Sequence, residues 1–216
     1  IIAFAPEGAG HPLAMEIIAA TEAAGGEAIE TSADILSKMS GKDNPQMLLG
    51  AYRQPETALH GLDRSAAPLW IVAQALRDPG NIGTILRTGD AVGAGGLILV
   101  DDCADPYSVE AVRASMGAIF TQAVASARWD EFVTWLRSGP GQLVGTSLKA
   151  SADYLEAEYR RPCFLLIGNE QQGLPEAFEA ECDLLVKIPM AGRADSLNAA
   201  VAAAVMAFQI VAGWRN

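Results

Sequence analysis

The pattern of apolar and polar positions is clearest from Leu69 onward. There, short apolar runs alternate with stretches whose apolar residues recur at helical spacing, which is typical of α/β proteins with a parallel sheet. Residues 69–73 are continuously apolar, as expected for a strand that is covered on both faces. Further strands are predicted at 97–100, 122–125, 143–145, 163–167 and 184–188, and helices at 82–92, 108–117, 129–137 and 196–212. The sequence therefore predicts a doubly wound parallel α/β domain over residues 69–216.

Residues 1–53 show a smaller α/β pattern that precedes this domain. The predicted elements are an apolar start at 1–4, a helix at 12–24 that ends at Gly25-Gly26, a strand at 27–31, a helix that Ser32 can cap, and a strand at 46–52. Residues 54–68 contain two prolines, a glycine and several polar residues without periodicity. That composition favours a linker between two domains.

Composition limits the class of protein. Half of the 216 residues are apolar and 19% are charged, so the chain can bury a core and is not expected to be disordered. No apolar run reaches the roughly 18 residues of a membrane span, because the longest, 199–210, is interrupted by Gln209. The chain starts at Ile1 without a basic segment before an apolar one, so no signal peptide is predicted. The three cysteines form no CxxC pair, which argues against a disulfide framework or a zinc site and favours a reducing cytoplasm.

Net charge restricts how a nucleic acid could be bound. The formal charge is −11 at pH 7, which is the wrong overall sign for a protein that coats a polyanion. A polyanionic partner would have to be held by a local cluster of arginines. The four arginines in or beside the motifs described below are Arg77, Arg87, Arg113 and Arg193.

Several common catalytic motifs are absent from the sequence. There is no GxxxxGK[ST] phosphate loop, and Gly93-Ala94-Gly95-Gly96 precedes a predicted strand and lacks the third glycine of a dinucleotide fingerprint. The two histidines, His11 and His60, precede the larger domain. A histidine-based triad or metal centre in that domain is therefore excluded.

Three polar segments follow predicted strands, where α/β proteins bind ligands. In residues 77–88, Asn81 can cap a helix on which Arg87 lies nearly two turns later, although a capped helix with one exposed arginine would explain the same pattern. In residues 164–174, Gly168 and Gly173 bracket a polar loop in which Glu170 supplies a carboxylate.

The third polar segment covers residues 188–199. A predicted strand ends at Pro189, a loop containing Gly192 follows, and Ser196 opens the last helix. Ser196 and Asn198 offer a hydroxyl and an amide beside the free N–H groups at the start of that helix. A helix cap explains Ser196 but not Asn198, so this end of the helix is a candidate site for a polar ligand group or an anion.

Together the three segments resemble the signature motifs of the SpoU/TrmH-type RNA ribose methyltransferases of the SPOUT superfamily. The resemblance covers roughly residues 69–212 and rests on Asn-Ile-Gly-Thr-Ile-Leu-Arg-Thr, Leu-Ile-Gly-Asn-Glu, and Ile-Pro-Met-x-Gly with Ser-Leu-Asn, in the family's order. Residues 106–118 also look like a family stretch. Residues 1–53 resemble the carboxyl part of the small substrate-binding domain that many members carry, with its beginning missing.

The resemblance implies transfer of a methyl group from S-adenosylmethionine to a ribose 2′-hydroxyl in rRNA or tRNA, by a homodimer whose sheet carries a carboxyl-terminal trefoil knot. The implied cofactor-binding residues are Thr146, Leu148, Gly168, Ile188, Met190 and Leu197; the implied catalytic residues are Arg87, Asn81, Glu170, Ser196 and Asn198; the implied RNA-binding residues are Arg113 and Arg193. No metal is expected, because the sulfonium already activates the methyl group. A non-catalytic RNA-binding or ribosome-assembly factor on the same fold is the alternative, and a small-molecule enzyme with a nucleotide cofactor is disfavoured because the phosphate loop is missing.

Overall fold

The computed structural model describes residues 1–169 and 172–215. By spatial clustering, the chain divides into two compact units, with the boundary between Pro55 and Glu56. None of the helices in the described ranges is long and apolar enough to cross a membrane.

The first unit is built on a small mixed sheet. Its strands β1 (Ile2–Phe4), β2 (Ala28–Glu30) and β3 (Leu48–Gly50) are ordered β2-β1-β3, with β2 parallel and β3 antiparallel to β1. The helices are α1 (Pro6–Ala9), α2 (Pro12–Ala23) and α3 (Ala33–Ser40). The predicted cap of α3 is confirmed, since the Ser32 hydroxyl accepts a hydrogen bond from the amide of Ile35 at 3.3 Å. The α/β pattern predicted for residues 1–53 is thus present.

The second unit contains a seven-stranded sheet in which all pairs of neighbouring strands are parallel. Its strands are β4 (Leu69–Gln74), β5 (Gly96–Val100), β6 (Ala123–Ala127), β7 (Gln142–Thr146), β8 (Ala152–Asp153), β9 (Cys163–Ile167) and β10 (Leu184–Lys187). Their spatial order is β6-β5-β4-β9-β7-β10-β8. The predicted parallel α/β sheet is confirmed, with one strand, the two-residue β8, that the sequence pattern does not reveal.

Helices cover both faces of this sheet. They are α4 (Pro79–Val92), α5 (Val109–Ala114), α6 (Trp129–Arg137), α7 (Glu176–Glu179) and α8 (Ala199–Gly213), with 3₁₀ turns at Leu59–Gly61 and Ala118–Phe120. One apolar core joins the sheet to α4, α5 and α8, and a second core on the opposite face includes Phe132 and Leu136 of α6. Side chains alternate between the two cores along each central strand, which explains why these strands read as continuous apolar runs.

Two predicted helix starts are wrong. Asn81 does not cap α4; the helix begins at Pro79, and the Asp78 carboxylate accepts a hydrogen bond from the Asn81 amide at 2.9 Å. Asp is a strong N-cap and proline suits the first helical position, so the Asp-Pro pair determines the start. Ser196 does not open the last helix either, because α8 begins at Ala199 and Asn198 is its cap.

The segment predicted as a linker, 54–68, is largely part of the second unit. Leu59 is buried in the core that contains α6. The Arg64 guanidinium donates hydrogen bonds to the carbonyls of Leu136, at 2.9 Å, and Trp135 at the end of α6, and lies 4.2 Å from the centre of the Trp135 ring. These contacts involve single side chains at irregular spacing, so the sequence shows no periodicity there.

Candidate functional site

A cavity of about 350 Å³ lies where β7, β9 and β10 end. Three chain segments line it, within 146–149, 167–174 and 188–202, together with Glu179 of α7. The lining includes all six residues predicted to bind a cofactor, namely Thr146, Leu148, Gly168, Ile188, Met190 and Leu197, together with the predicted catalytic Ser196. Strands that are far apart in sequence thus bring the second and third motifs together with residues 146–149, at the sheet edge where parallel α/β proteins bind ligands.

The first wall of the cavity follows β7. Thr146 ends the strand, and the next residue, Ser147, donates its amide to the carbonyl of Val186 on β10 at 2.9 Å. Leu148 then leaves the sheet and is 63% exposed at the rim of the cavity. Such an exposed leucine beside a cavity offers an apolar surface to a flat ring system.

The second wall is a tight loop that follows β9. A Cβ atom on Gly168 would lie 2.5 Å from the carbonyl carbon of Gly173 and 2.7 Å from the amide nitrogen of Leu174. The Gly173 amide donates to the Asn169 carbonyl at 2.9 Å, and Gly173 has a φ of 68°, in the left-handed region that glycine tolerates best. Glycine is therefore required at 168 by the close approach of the two loop strands.

Asn169 connects this loop to the rest of the sheet. It is a candidate functional residue that was not among the predicted site residues. Its Nδ2 donates to the carbonyl of Ala75 after β4 at 2.9 Å, and its Oδ1 accepts from the amide of Gln172 at 3.3 Å. Ala75 itself has a φ of 49°. Asn169 belongs to the Gly-Asn-Glu motif, so the sequence could have marked it as a candidate. The sequence does not indicate its hydrogen bond to the Ala75 carbonyl. The predicted catalytic Glu170 lies outside the described residues.

The third wall is formed by the segment between β10 and α8. Ile188, Met190 and Leu197 contribute apolar surface, and Asp195 together with Glu179 adds carboxylates to the lining. The cavity therefore combines apolar walls, backbone groups of a glycine-bracketed loop and two carboxylates, and the Lys149 side chain also lines it. This combination suits a ligand that carries an apolar ring and charged groups.

Asn81 and Asn198 lie beside the cavity rather than in its lining, and they contact each other. The Asn198 Nδ2 donates to the Asn81 Oδ1 at 3.0 Å. Asn198 also caps α8, because its Oδ1 accepts from the amides of Ala200 at 3.0 Å and Val201 at 3.2 Å. The structure thus brings together two predicted site residues that are 117 positions apart.

The predicted arginines differ in their surroundings. Arg87 is exposed on α4, and no carboxylate of the described residues lies within ion-pairing distance of its guanidinium. Arg77 pairs with Asp102 at 2.7 Å, so its charge is locally offset. Arg113 on α5 and Arg193 between β10 and α8 are exposed, and neither lines the cavity. The structure therefore does not gather the arginines into one cluster inside the cavity.

The cysteines do not supply a nucleophile. Burial raises the pKa of the Cys163 thiol to about 12. Burial, with the nearby carboxylates of Asp183 and Glu179, raises the pKa of the Cys182 thiol to about 12 as well, and burial also raises the pKa of Cys103. All three thiols are therefore protonated near neutral pH and unreactive. Within residues 1–169 and 172–215, no group of three or more His, Cys, Asp or Glu side chains is arranged to hold a metal ion.

Similar proteins are RNA methyltransferases. The chain is 35% identical to the 23S rRNA (uridine(2479)-2′-O)-methyltransferase of Streptomyces viridochromogenes over 86% of this chain and 67% of that protein. It is 31% identical to the 23S rRNA (guanosine(2553)-2′-O)-methyltransferase RlmP of Bacillus subtilis over 83% of this chain and 70% of that protein.

A similar solved structure is of an enzyme with bound AdoMet. The AdoMet-bound rRNA methyltransferase from Sinorhizobium meliloti superposes with a TM-score of 0.89 at 39% identity, covering 97% of this chain and 78% of that chain. Residues 68–208 match the family model described as the SpoU rRNA Methylase family. This range contains all three motifs and every segment that lines the cavity. The chain therefore belongs to the SpoU rRNA methylase family.

Proposed function

We propose that this protein transfers a methyl group from S-adenosylmethionine to the 2′-hydroxyl of a ribose in ribosomal or transfer RNA. The observation that carries the proposal is a cavity whose lining includes all six residues expected to bind the methyl donor. The two similar curated proteins are named as 2′-O-methyltransferases of 23S rRNA. Ribosomal RNA is therefore the first substrate to test.

The residues of the cavity fit S-adenosylmethionine, which supplies a methyl group activated on a positively charged sulfur. The volume of about 350 Å³ lies within the range of pockets for small ligands. Backbone groups near Gly168, Ile188 and Leu197 would hold the adenosyl part, with Leu148 and Met190 as apolar walls and Thr146 beside them. Carboxylates in the lining would offset the positive charge of the ligand.

Arg87 acts in this proposal as a fixed positive charge rather than as a base. An arginine guanidinium is effectively always protonated in proteins, so it is a poor candidate for a base near neutral pH. A guanidinium instead binds an RNA phosphate with two hydrogen bonds and stabilises the negative charge that grows on the ribose oxygen. The hydroxyl proton leaves to the phosphate or to water, and the oxygen forms the new bond to the methyl carbon as the bond from that carbon to sulfur breaks.

The remaining predicted site residues would orient the ribose. Asn81, Glu170, Ser196 and Asn198 offer polar groups that can hold the hydroxyl in line with the methyl group, and such orientation lowers the barrier of a bimolecular transfer. Ser196 lies in the lining of the cavity, and Asn81 contacts Asn198 at its edge. We assign these residues to substrate positioning.

RNA binding would use exposed groups outside the cavity. Arg113 and Arg193 are exposed and would contact phosphates, and the unit Ile1–Pro55 would bind RNA as a substrate-binding domain. Because the chain is acidic overall, we expect a few local contacts rather than a continuous basic surface. A substrate of this kind also implies that the protein acts in the cytoplasm.

Two finer features of the family are part of the proposal. The strand order supports a trefoil knot, because the chain forms β7, returns to place β9 between β4 and β7, and then crosses β7 again to form β10.

Exposed apolar side chains on one helical layer support a homodimer. They are Val109, Met116, Phe120, Val201 and Phe208, each at least 48% exposed.

Calorimetry and methyl transfer together test the proposal. Titration of the protein with S-adenosylmethionine should give one site per chain, and labelled methyl groups should appear in rRNA transcripts. Replacing the ribose at the mapped nucleotide by deoxyribose should abolish labelling. A protein that binds rRNA but neither binds the donor nor labels any transcript would be the non-catalytic alternative, and this result would overturn the proposal.

A further inference from the structure

Lys149 is the one basic residue among the described residues that line the cavity. It lies in the turn that follows β7, and hydrogen bonds hold the backbone of this turn. The Lys149 amide donates to the Ser147 hydroxyl at 3.2 Å, and the Ala150 amide donates to the Ser147 carbonyl at 3.2 Å. The Lys149 side chain is 75% exposed. The turn therefore fixes where this side chain starts, while its ammonium group can move at the rim of the cavity.

An ion pair connects this ammonium group to α7, the helix that contributes Glu179 to the lining. Lys149 Nζ lies 3.8 Å from Oε1 of Glu176, whose side chain is 90% exposed. This separation is longer than a hydrogen bond, and exposed pairs of this kind contribute little to stability. The fold therefore does not depend on the pair, and the ammonium group can exchange Glu176 for another carboxylate.

The charged side chains of the lining match the amino acid end of the proposed methyl donor. S-adenosylmethionine carries a sulfonium, an ammonium and a carboxylate group at this end. The described lining contains the carboxylates of Glu179 and Asp195 and the ammonium group of Lys149. Two negative groups and one positive group are the complement of two positive groups and one negative group. The apolar walls suit the adenine ring, so the charged side chains are left for the amino acid end.

We propose that Lys149 is a specificity-determining residue for the methyl donor: its ammonium group leaves Glu176 and pairs with the carboxylate of the donor's methionyl part, while Glu179 faces the donor's ammonium group. The inference rests on the proposed function. Glu179 lies three positions after Glu176 on α7, so both carboxylates are on the side of the cavity that Lys149 reaches. Lys149 lies outside the three segments that resemble the family's motifs.

The proposed pairing binds the donor without taking part in the methyl transfer. The methionyl carboxylate is unchanged by the reaction, so its attraction to Lys149 is the same in the ground state and in the transition state. Interactions of this kind lower KM without raising kcat. Loss of the Lys149 ammonium group should therefore raise the KM for the donor about 3- to 10-fold and should not lower kcat.

Decarboxylated S-adenosylmethionine isolates the role of the carboxylate, because it keeps the adenosyl, sulfonium and ammonium groups and lacks only that charge. The quantity to measure is the carboxylate selectivity, which is the affinity for S-adenosylmethionine divided by the affinity for the decarboxylated compound, both from calorimetry. This ratio cancels any general weakening of the cavity by a substitution. We expect Lys149→Gln to lower the carboxylate selectivity about 3- to 10-fold, and Lys149→Arg to retain most of it.

Glu176→Gln tests the exchange of partners. This variant removes the carboxylate that competes for the Lys149 ammonium group, so the carboxylate selectivity should rise about 1.5- to 3-fold. An unchanged ratio in Glu176→Gln would contradict the exchange.

The matched control is Arg160→Gln, which also removes one exposed positive charge. The Arg160 amide donates to the side chain of Gln142 at 2.7 Å, and Gln142 begins β7, whereas the cavity lies where β7 ends. The substitution leaves this backbone donor in place. We expect the carboxylate selectivity and the melting temperature to remain at wild-type levels, because the charge that is removed lies at the opposite end of the strand.

The possible results separate the inference from the proposed function. Equal carboxylate selectivity in the wild type and Lys149→Gln, its loss in Lys149→Arg, or an equal loss in Arg160→Gln would each overturn the inference. A raised KM for RNA rather than for the donor in Lys149→Gln would also overturn it, since Lys149 would then bind a phosphate. Failure of the wild type to bind either compound would instead overturn the proposed function. Because the Lys149 side chain is exposed, the melting temperature of unliganded Lys149→Gln should stay within about 2 °C of the wild type.

Discussion

Gly168→Ala is the most direct perturbation of the loop that borders the cavity. The added Cβ would lie 2.5 Å from the carbonyl carbon of Gly173 and 2.7 Å from both the Gly173 oxygen and the Leu174 nitrogen. All three are backbone atoms, so rotation of a side chain cannot relieve the contact. Gly168 directly follows β9, which is fully buried between β4 and β7. The opposite side of the loop therefore has to move.

The distances give the size of this movement and of its cost. Ordinary contact begins at 3.4 Å, so Gly173 must retreat by roughly 0.9 Å from the present 2.5 Å. Overpacking of this kind costs about 1–3 kcal/mol. The displaced residues Gly168, Gly173 and Leu174 all line the cavity. The part of this cost that falls on ligand binding lowers the affinity for S-adenosylmethionine, by at most about 150-fold at 1.4 kcal/mol for each factor of ten.

Calorimetry with S-adenosylmethionine and unfolding in urea measure the two parts of this cost. Gly213→Ala is the matched control, because a Cβ there has no atom within 4 Å and alanine is favoured over glycine in a helix. We expect the control to bind the donor normally and to be at least as stable as the wild type. Wild-type donor affinity and stability in Gly168→Ala would refute the assignment of this loop to donor binding.

Three further predictions concern catalysis, assembly and pH. Arg87→Lys should lower kcat at least about 10-fold and Arg87→Ala about 100-fold or more, because ammonium cannot replace the planar guanidinium; near-full kcat in Arg87→Lys would contradict the two-bond role. Phe208→Glu should convert the proposed dimer to monomers in sedimentation, since this phenylalanine is 56% exposed on α8; an unchanged sedimentation coefficient would argue against this interface. Burial raises the pKa of Cys163 to about 12, so the folded state favours the neutral thiol. Stability from this group is full below the unfolded pKa of about 8.5 and is lost toward pH 12 by about 1.4 kcal/mol per pH unit. Denaturation curves of Cys163→Ala and wild type that stay parallel from pH 8 to 11 would contradict this.

Local patterns predicted the interior of the elements well. The helix Trp129–Arg137 and the strand Cys163–Ile167 have the predicted bounds, because one face of the helix and both faces of the strand are apolar. The two-residue strand Ala152–Asp153 is too short to produce any periodic signal. Elements that bury a continuous or regularly spaced apolar surface can thus be predicted from sequence, and short ones cannot.

Helix starts were predicted less well, because several polar residues compete for the cap. Before α4, both Asp78 and Asn81 are good caps, and Pro79 decides in favour of the first. Before α8, Ser196 and Asn198 compete, and the amide of Asn198 is the one that meets the helix. Sequence alone does not rank such candidate caps, because the path of the preceding loop determines which side chain reaches the first amides of the helix.

The site could be predicted as three separate polar segments, but not as one cavity, which two of these segments line together with residues 146–149. Their convergence depends on the strand order β4-β9-β7-β10, which periodicity does not encode. The bond from Asn169 to the Ala75 carbonyl and the bond from Asn198 to Asn81 join residues 94 and 117 positions apart. Contacts of this range are fixed by the fold, so only the resemblance to a known family pointed to a shared site.

An acidic chain can bind a polyanionic substrate if the arginines at the site are not paired with carboxylates. The ion pairs among the described residues include Arg77 with Asp102 and Arg137 with Asp183, while Arg64 donates to carbonyls at the end of α6. These cations serve the fold or are offset locally. Arg87 has no such carboxylate partner in the described ranges and lies on the helix that the Asn81–Asn198 pair ties to the cavity. Because interactions between exposed charges are largely screened beyond about 8 Å at physiological salt, carboxylates farther than that from Arg87 do little to weaken its attraction for a phosphate.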